Sequence, residues 1–301
     1  MKSLTVISGK GGTGKTTMVT SLAALARRDG IRAVIADCDV DAPDLHILLQ
    51  PEIKHREPFT GGRVAVIDQE RCTGCGRCYE HCRFEAVIRR EDRYEIDPMD
   101  CEGCGVCEYV CPVDAITMRV REGGYWFISE TPYGPMVHAT LGPGEGNSGK
   151  LVTAVRQAAE QIALEIQAQY VIIDGSPGMG CPVIASVTNT DLVLVIAEPT
   201  LSGVHDMERV LELALHFGVK PLVCVNKYDL NLAVTREIES LCDEAGVEVV
   251  GKIPFDESFI EAVVNLKPAV EYIDKNLALK IESLWRRVRA ELDKEVHLSL
   301  K

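Results

Sequence analysis

Short apolar runs alternate with longer segments of helical periodicity along most of this chain. The runs are rich in Val, Ile and Leu, which is typical of strands buried on both faces of a parallel sheet. They predict strands at 4–8, 32–37, 125–128, 170–174, 192–197, 221–225 and 247–253. The periodic segments predict helices at 15–28, 148–168, 202–216, 231–245, 256–265 and 275–295. This alternation predicts an α/β fold with a doubly wound, mostly parallel sheet.

The segment 63–118 interrupts the alternation. It holds eight of the twelve cysteines of the chain, and the pattern of strands and helices resumes only after it. We therefore predict a discontinuous α/β domain formed by residues 1–62 and 119–301, with a smaller domain at 63–118 inserted into it.

Composition narrows the class of protein. The chain has 301 residues, 46% hydrophobic and 26% charged, as in soluble globular proteins. Its net charge of −13 argues against binding to nucleic acid or anionic lipid, because both select lysine and arginine. The N-terminal residues lack the apolar core of a signal peptide, and clustered cysteines in such a chain indicate metal ligands rather than disulfides. We expect a cytoplasmic protein that contacts neither nucleic acid nor a membrane.

A glycine-rich loop lies between the first predicted strand and helix. Residues Gly9–Thr16 match G-x-x-x-x-G-K-[ST], the pattern of phosphate-binding loops. In such a loop the backbone N–H groups face the phosphates, Lys15 reaches the β- and γ-phosphates, and Thr16 holds Mg²⁺. A glycine-rich turn without a ligand is the alternative. The predicted nucleotide-binding residues are Gly9, Lys10, Gly11, Gly12, Thr13, Gly14, Lys15, Thr16 and Thr17.

Acidic residues follow two of the predicted strands. One strand ends in Asp37 and is followed by Asp39, Asp41 and Asp44, and another ends in Asp174. Carboxylates at the carboxyl ends of strands beside a phosphate loop suit the positioning of Mg²⁺ and of an attacking water. Asp174, after an apolar strand, is typical of a Walker B carboxylate that serves the magnesium ion. Asp41 and Asp44 are equally consistent with solvated loop charges.

Lys10 adds a second lysine directly after the first glycine of the loop. The sequence K-G-G-T-G-K-T-T at 10–17 resembles the deviant Walker A motif of the MinD/ParA ATPases, which include the nitrogenase iron protein and the Mrp-type cluster carriers. The resemblance implies that Lys10 crosses a dimer interface to the partner's nucleotide and acts there as an arginine finger does elsewhere. It implies a homodimer, or a pseudo-symmetric heterodimer with a paralogue. A solvated loop lysine is the alternative.

The same resemblance assigns roles to further residues. It implies that Asp37 lies near Mg²⁺, that Asp39 orients the attacking water, and that the N–H of Gly178 senses the γ-phosphate. Asp206 would help to place Lys10. The catalytic residues are then Lys10, Lys15 and Asp39, and the magnesium site involves Thr16, Asp37 and Asp174.

Base recognition is implied at a later strand end. By the resemblance, Asn226 reads adenine and the loop at Pro254 covers the ring. The segment Asn226-Lys227-Tyr228-Asp229 also overlaps the N-K-x-D motif of GTPases, so GTP stays open beside ATP.

The cysteines of 63–118 form two copies of the pattern C-x2-C-x2-C-x3-C, offset by 29 residues. The spacing resembles that of bacterial two-cluster ferredoxins, which implies a small α+β domain with two [4Fe–4S] clusters. In that family the fourth cysteine of each copy binds the other cluster. Cluster 1 would take Cys72, Cys75, Cys78 and Cys111, and cluster 2 would take Cys101, Cys104, Cys107 and Cys82. Structural zinc is the alternative, although it rarely takes three cysteines at this interval.

Three cysteines outside the repeats bear on whether the chain holds a further cluster. Cys181 lies seven residues after Asp174, where the nitrogenase iron protein resemblance implies a ligand of a cluster shared between subunits, and a buried inert thiol is the alternative. Mrp-type carriers hold a labile cluster on a late C-x-x-C pair, but Cys224 and Cys242 are 18 residues apart.

Two other segments invite a functional interpretation. The stretch 144–151 imitates a second phosphate loop but has Leu151 in place of the metal-binding hydroxyl, so we predict a loop and a helix start. The helix at 275–295 carries an apolar stripe. MinD binds membranes through a C-terminal amphipathic helix, but the nearly balanced charges of the helix in this chain favour packing on the sheet.

Three functions follow from these patterns. The favoured one is an iron–sulfur ATPase in which ATP, Mg²⁺ and a dimer gate electron transfer through two [4Fe–4S] clusters to a redox partner protein. A cluster carrier or assembly ATPase and a MinD-like spatial-positioning ATPase are the alternatives. Because the chain passes from the loop at 37–44 towards the cysteine segment, we expect that loop to lead directly into the inserted domain.

Overall fold

Thirteen strands and eleven α-helices occur in residues 1–142 and 148–294, the parts of the chain that the computed structural model describes. The strands are β1 (Lys2–Ile7), β2 (Ala33–Asp37), β3 (Glu52–Phe59), β4 (Gly62–Ile67), β5 (Val87–Arg90), β6 (Arg93–Ile96), β7 (Ile116–Arg121), β8 (Gly124–Thr131), β9 (Gly134–Leu141), β10 (Tyr170–Asp174), β11 (Leu192–Ala197), β12 (Lys220–Asn226) and β13 (Glu248–Ile253). The helices are α1 (Lys15–Arg28), α2 (Leu45–Leu49), α3 (Arg77–His81), α4 (Val106–Tyr109), α5 (Ser148–Glu165), α6 (Cys181–Val187), α7 (Leu201–His216), α8 (Leu232–Glu244), α9 (Ser258–Val264), α10 (Ala269–Tyr272) and α11 (Lys275–Leu292).

Nine strands form one sheet in the order β13-β12-β11-β1-β10-β2-β9-β8-β3. Neighbouring strands from β13 to β9 run parallel, which confirms the predicted α/β fold with a mostly parallel sheet. Since β1 lies between β10 and β11, the loop after β1 emerges from the middle of the sheet. This is where open α/β sheets bind ligands.

The alternation of side chains along each strand builds a core on each face of this sheet. In β11, Leu192, Leu194 and Ile196 belong to one apolar cluster, and Val193 and Val195 belong to the other. Helices α1 and α11 pack in the first cluster, and α6, α7 and α8 pack in the second. Burial on both faces explains why the strands read as unbroken apolar runs.

Helix α11 packs on the sheet, as its charge balance predicted. Its apolar stripe is buried in the core, and Trp285 Nε1 donates a hydrogen bond to Asp29 Oδ2 at 3.0 Å. The stripe consists of Leu277, Ile281, Leu284, Trp285, Val288 and Leu292. The predicted last residue, Glu295, lies outside the described part of the chain. Among the described helices, none has the length and apolar character that a membrane span requires.

The sequence prediction missed one edge of the sheet. Strand β9 follows β8 after two residues and pairs in parallel with β2, and β3 pairs at the far edge. The expectation that the loop at 37–44 leads directly into the cysteine segment is wrong, because α2 and β3 lie between them. Strand β3 has mostly exposed polar residues, so it lacks the apolar run by which the other strands were recognised.

The chain divides into two units. One comprises Met1–Arg56, Trp126–Thr140 and Ser148–Lys301, and the other comprises Glu57–Tyr125 and Leu141–Asn147. The segment 63–118 lies within the second unit, which also takes in 57–62 and 119–125. Within the predicted loop at 142–150, residues 143–147 lie outside the described part, and α5 begins at Ser148.

The second unit repeats one arrangement of secondary structure. Strands β4 and β7 pair antiparallel, as do β5 and β6, and the short helices α3 and α4 each follow a cysteine-containing loop. Gly76 and Gly105 precede these helices with φ of 78°, a left-handed conformation that favours glycine. A small core of Ala65, Ile67, Val87, Tyr94 and Ile116 lies between the two cysteine groups.

Candidate functional site

The phosphate loop crosses from the end of β1 to Lys15, the first residue of α1. Its backbone is held close to the end of β12, since a Cβ on Gly14 would lie 2.4 Å from Asn226 Nδ2. A cavity of about 780 Å³ opens over the loop. Its lining consists of Ser8, Gly11, Gly12, Thr13, Gly14, Lys15, Thr16, Thr17, Asp39, Ala42, Asp44 and Pro177. Asp41 and Asp44 are both exposed, and only Asp44 of the two lines this cavity.

Lys15, Thr16 and the predicted acids meet at the floor of this cavity. Lys15 Nζ forms a short hydrogen bond with Asp174 and lies 3.6 Å from Asp39 Oδ2. Thr16 Oγ1 donates to Asp174 Oδ2 at 2.8 Å. Asp37 is brought beside Asp174 because β2 and β10 are parallel neighbours in register at these two residues.

Two carboxyl groups of this cluster, those of Asp37 and Asp39, have raised pKa values. Burial, followed by the Asp174 carboxylate, raises the pKa of Asp37 well above its ordinary value, and Lys15 only partly opposes them. Burial raises the pKa of Asp39 to about 6, again against the effect of Lys15. Burial also disfavours the charge on Lys15, but Asp174 and Asp39 outweigh it and raise the lysine pKa. A cation bound here would stabilise both carboxylates.

The residues present fit a magnesium–nucleotide complex. Asp37 Oδ2 and Thr13 Oγ1 are buried, and neither has a hydrogen-bond partner among the described residues. A buried polar atom without a partner costs free energy unless a ligand, ion or water satisfies it. Carboxylate and hydroxyl oxygens from Asp37, Asp174 and Thr16 are ligands of the kind that Mg²⁺ takes.

Lys10 is held within its own chain. Its Nζ donates to Thr200 Oγ1 at 3.0 Å and lies 3.5 Å from Glu198 Oε2. Glu198 Oε1 is also 3.5 Å from Lys227 Nζ, which in turn donates to the carbonyl of Gly12 at 3.0 Å. Sequence reasoning missed Glu198, although an acid directly after a buried strand was a usable signal.

For Asp206 and Gly178, the structure shows contacts that differ from those the resemblance implied. Asp206 packs against Gly9, since a Cβ on the glycine would come within 2.3 Å of the aspartate Cβ. The side chains that contact Lys10 Nζ are instead those of Thr200, Ser202 and Glu198. The N–H of Gly178 donates to the carbonyl of Ser8 at 3.0 Å, so it is committed to the backbone rather than directed to a phosphate.

A second cavity, of about 720 Å³, continues from the loop to the predicted base site. Asn226 and Pro254 both line it, together with Phe255 and Phe259. Asn226 Nδ2 donates to the carbonyl of Thr13 at 2.7 Å, and the carbonyl oxygen of the same amide is an acceptor for a base. The whole lining is Gly12, Gly14, Thr17, Met18, Asn226, Lys227, Pro254, Phe255, Asp256, Phe259, Ile260 and Val263.

Asp229 has a structural contact that bears on base recognition. Its Oδ1 accepts a hydrogen bond from the backbone N–H of Phe255 at 2.7 Å. The carboxylate therefore holds the loop at Pro254 and Phe255, instead of standing alone in the cavity as a guanine reader would.

The structure sorts the eight repeat cysteines into two groups of four. Cys72, Cys75, Cys78 and Cys111 line one cavity. Cys82, Cys101, Cys104 and Cys107 line another. We call these the cluster-1 cavity and the cluster-2 cavity. Each contains three cysteines of one repeat and the fourth cysteine of the other. In the described residues, no group of three or more His, Cys, Asp or Glu side chains is arranged to hold a metal ion.

Cys181, Cys224 and Cys242 line neither of these cavities. Cys181 is exposed at the start of α6 and lies close to Gly149, where a Cβ on the glycine would be 3.1 Å from the cysteine Cβ. Cys224 and Cys242 are buried in the two different apolar clusters of the sheet. Burial raises the pKa of the Cys224 thiol to about 12 and that of Cys242 to about 11. These two thiols do not form a shared site.

Comparison with known proteins gives one family and one fold. The sequence model of the family described as CobQ/CobB/MinD/ParA nucleotide binding domain matches residues 4–269. An uncharacterized protein of Methanocaldococcus jannaschii is 38% identical over 228 residues, which is 76% of this chain and 79% of that protein.

Solved structures are similar over nearly the whole chain. The cell division ATPase MinD of Pyrococcus furiosus has a TM-score of 0.56 at 15% identity and covers 96% of this chain and 98% of its own. The septum site-determining protein MinD of Pyrococcus horikoshii, solved with Mg-ADP, has a TM-score of 0.56 at 16% identity and covers 95% of each chain. At these identities the similarity concerns the fold.

Proposed function

Because this chain belongs to the CobQ/CobB/MinD/ParA nucleotide-binding family, we propose that it is an ATPase whose nucleotide state is coupled to electron transfer through two [4Fe–4S] clusters. The family itself supports ATP hydrolysis. The two clusters go further, and the sorting of the repeat cysteines into two cavities is the observation that supports them.

In the proposed ATPase reaction, the residues of the phosphate cavity neutralise charge and place water. Lys15 would leave Asp174 and contact the β- and γ-phosphates, and the Thr16 hydroxyl and the Asp37 and Asp174 carboxylates would serve Mg²⁺. Bound Mg²⁺ supplies compensation for the negative charge of the phosphates. Asp39 lies close to Lys15, and its ionised carboxylate would orient the attacking water.

The base cavity supports ATP over GTP. With Nδ2 of Asn226 bonded to Thr13, its carbonyl oxygen is an acceptor that matches the 6-amino donor of adenine. Guanine has an acceptor at the same position, and the Asp229 carboxylate that would read guanine holds the Phe255 backbone.

The cluster assignment is supported by the chemistry of each cavity. Four thiols line each one, in the crossed arrangement of the two-cluster ferredoxin pattern. The four cysteines of each cavity would hold one cluster. Bound clusters would supply one-electron redox chemistry. The chain would orient them through the loops at Gly76 and Gly105 and exclude water with the core around Tyr94.

A dimer completes the proposal. Lys10 would leave Glu198 of its own chain and reach the nucleotide of the partner subunit. The partner would be a second copy of this chain, in a homodimer, or a paralogue. A redox protein would exchange electrons with the clusters. We place this activity in the cytoplasm.

The proposal is tested by anaerobic reconstitution of the full chain followed by iron and sulfide analysis. We expect about eight iron and about eight sulfide per chain, for two four-iron clusters. Cys75→Ser and Cys104→Ser should each disturb one cluster, whereas Cys242→Ala, a buried thiol outside both cavities, should disturb neither. Full occupancy by zinc, or no stable iron, would contradict the redox part and leave the ATPase part standing.

A spatial-positioning ATPase is the second candidate. It is favoured by the similarity to MinD proteins, one of which is named for cell division and the other for septum-site determination. In MinD-like membrane recruitment an amphipathic helix must be free, but the stripe of α11 is buried here. ATP-dependent sedimentation with anionic vesicles would favour this candidate.

A further inference from the structure

The two cysteine repeats differ in charge although they share one backbone pattern. Residues 70–85 contain three arginines and three glutamates, for a net charge of zero, whereas 99–114 contain four acids and no base, for a net charge of −4. Most of this difference comes from four pairs of positions related by the 29-residue offset: Arg71 and Asp100, Thr73 and Glu102, Arg77 and Val106, and Tyr79 and Glu108.

Two of these pairs line the cysteine cavities themselves. Arg77 and Thr73 line the cluster-1 cavity, and their counterparts Val106 and Glu102 line the cluster-2 cavity. The side chains occupy matched places, because Arg77 and Val106 are each the first residue of a short helix that follows a left-handed glycine. The cluster-1 cavity therefore has the cation Arg77 where the cluster-2 cavity has Val106. The cluster-2 cavity has the anion Glu102 where the cluster-1 cavity has Thr73.

Two further charges of the repeats, on Arg71 and Glu108, reinforce this difference. Arg71 Nη2 donates to the carbonyl of Val113 at 3.0 Å, and Val113 lines the cluster-1 cavity. Glu108 Oε1 accepts from the N–H of Met118 at 3.3 Å, and Met118 lines the cluster-2 cavity. Hydrogen bonds thus hold a cation near the first cavity and an anion near the second.

Three charges oppose the difference. Glu70 and Glu80 have the uncharged counterparts Met99 and Tyr109, and neither glutamate lines the cluster-1 or the cluster-2 cavity. Arg83 follows Cys82, a cysteine of the cluster-2 cavity, at the place where Pro112 follows Cys111. Both Arg83 and Glu102 are exposed, but Glu102 lines that cavity and Arg83 does not. Because the Coulomb interaction falls with distance, the charges that line a cavity act more strongly on a group bound in it.

We propose that Arg77 and Glu102 make the two clusters unequal, so that a single added electron resides on cluster 1 rather than cluster 2. This inference rests on the clusters of the proposed function. Reduction adds one negative charge to a cluster, which Arg77 and Arg71 stabilise and Glu102 and Glu108 oppose, because net charge around a cluster sets its potential. Transfer of one electron from cluster 2 to cluster 1 would therefore be favourable, and it would require no proton transfer and no change of bonds.

The inference is tested by an EPR-monitored reductive titration of the anaerobically reconstituted full chain with dithionite. We expect two reduction steps with at least a tenfold preference for one cluster, which is about 59 mV for one electron. Arg77→Val should lower only the upper step, and Val106→Arg should raise only the lower step. Each substitution introduces the residue that is found at the matched position of the other repeat. Arg93→Val, on an exposed arginine of β6 that lines neither cavity, should move neither step.

The outcomes separate this inference from the function on which it rests. Two clusters with coincident potentials, or an Arg77→Val variant in which the lower step moves, would overturn the inference and leave the cluster assignment intact. If either variant fails to assemble, the other carries the test alone, since each predicts a shift of a different step. Absence of iron and sulfide from the wild-type chain would overturn both.

Discussion

Lys10 Nζ lies 3.5 Å from Glu198 Oε2 of the same chain, and Glu198 also contacts Lys227 across the mouth of the phosphate loop. The two lysines are therefore held by one carboxylate that is itself mostly buried. If Lys10 serves a partner's nucleotide, this ion pair must open when the dimer forms. Glu198 then opposes dimerisation until the γ-phosphate competes for Lys10.

Lys10→Ala should keep nucleotide binding but lose ATP hydrolysis and ATP-dependent dimerisation, because the missing ammonium would act only on the partner's nucleotide. Glu198→Gln should have the opposite effect on assembly and lower the ATP concentration needed for dimerisation. Phosphate release and light scattering after size exclusion measure the two effects. Lys2→Ala, on a lysine paired with Asp191 away from the loop, is the control. Normal turnover of the Lys10 variant would refute the role in trans.

The chain should bind ADP at least tenfold more tightly than GDP. Asp229→Ala should weaken both nucleotides without reversing the preference, because the Asp229 carboxylate holds the Phe255 backbone and not the base. Calorimetric titration of Mg-ADP and Mg-GDP measures both constants. A selective loss of GDP binding in this variant would show instead that Asp229 reads guanine.

Substitutions of the fourth cysteines should reveal the crossed ligand sets. Cys111→Ser should alter the same EPR signal as Cys75→Ser, and Cys82→Ser should alter the same signal as Cys104→Ser, because those pairs share a cavity. Spectra of the reduced, reconstituted variants make the comparison. If Cys82→Ser instead matches Cys75→Ser, each repeat binds its own cluster.

His138 should make the free energy of unfolding depend on pH. Burial, followed by the charge of His46, lowers the pKa of His138 to about 4, and its Nε2 shares a hydrogen bond of 2.9 Å with Ser129 Oγ. The unfolded chain binds the extra proton below about 6.5 and the folded chain does not, so stability is present above that pH and falls as the pH drops towards 4. The loss is on the order of 3 kcal/mol at most.

Urea denaturation of the wild type and of His138→Gln between pH 7 and pH 4 isolates this contribution. The glutamine keeps a hydrogen-bonding group near Ser129 but does not titrate, so its stability should fall less steeply with acid. Equal slopes for the two proteins would mean that His138 is not the group responsible.

The central sheet could be predicted because its strands are buried on both faces. Burial on both faces forces continuous apolar runs such as Val171–Ile173 in β10, and these are visible without a structure. Helix α1 begins and ends at the predicted residues, since the glycine loop fixes its start and Gly30 follows its end. The edge strand β3, with its exposed polar residues, gave no comparable pattern.

The candidate site was predictable where a motif has fixed spacing and less so where contacts depend on the fold. Lys15, Thr16 and Asp174 meet as the motif implied. Glu198 is 188 residues from Lys10 in sequence, and only the neighbouring positions of β1 and β11 bring them together. The commitment of the Gly178 N–H to Ser8 is likewise a contact that spacing alone cannot show.

The coupling between nucleotide and clusters is tested most directly by an anaerobic redox titration followed by EPR, with Mg-ADP or with a non-hydrolysable ATP analogue and Mg²⁺. We predict that the midpoint potential of at least one cluster differs between the two nucleotide states by about 60 mV, a tenfold change for one electron. The Lys15→Ala variant, in which nucleotide binding should be lost, should show no difference. Identical potentials in the two states, with both nucleotides shown to be bound, would contradict ATP-gated electron transfer.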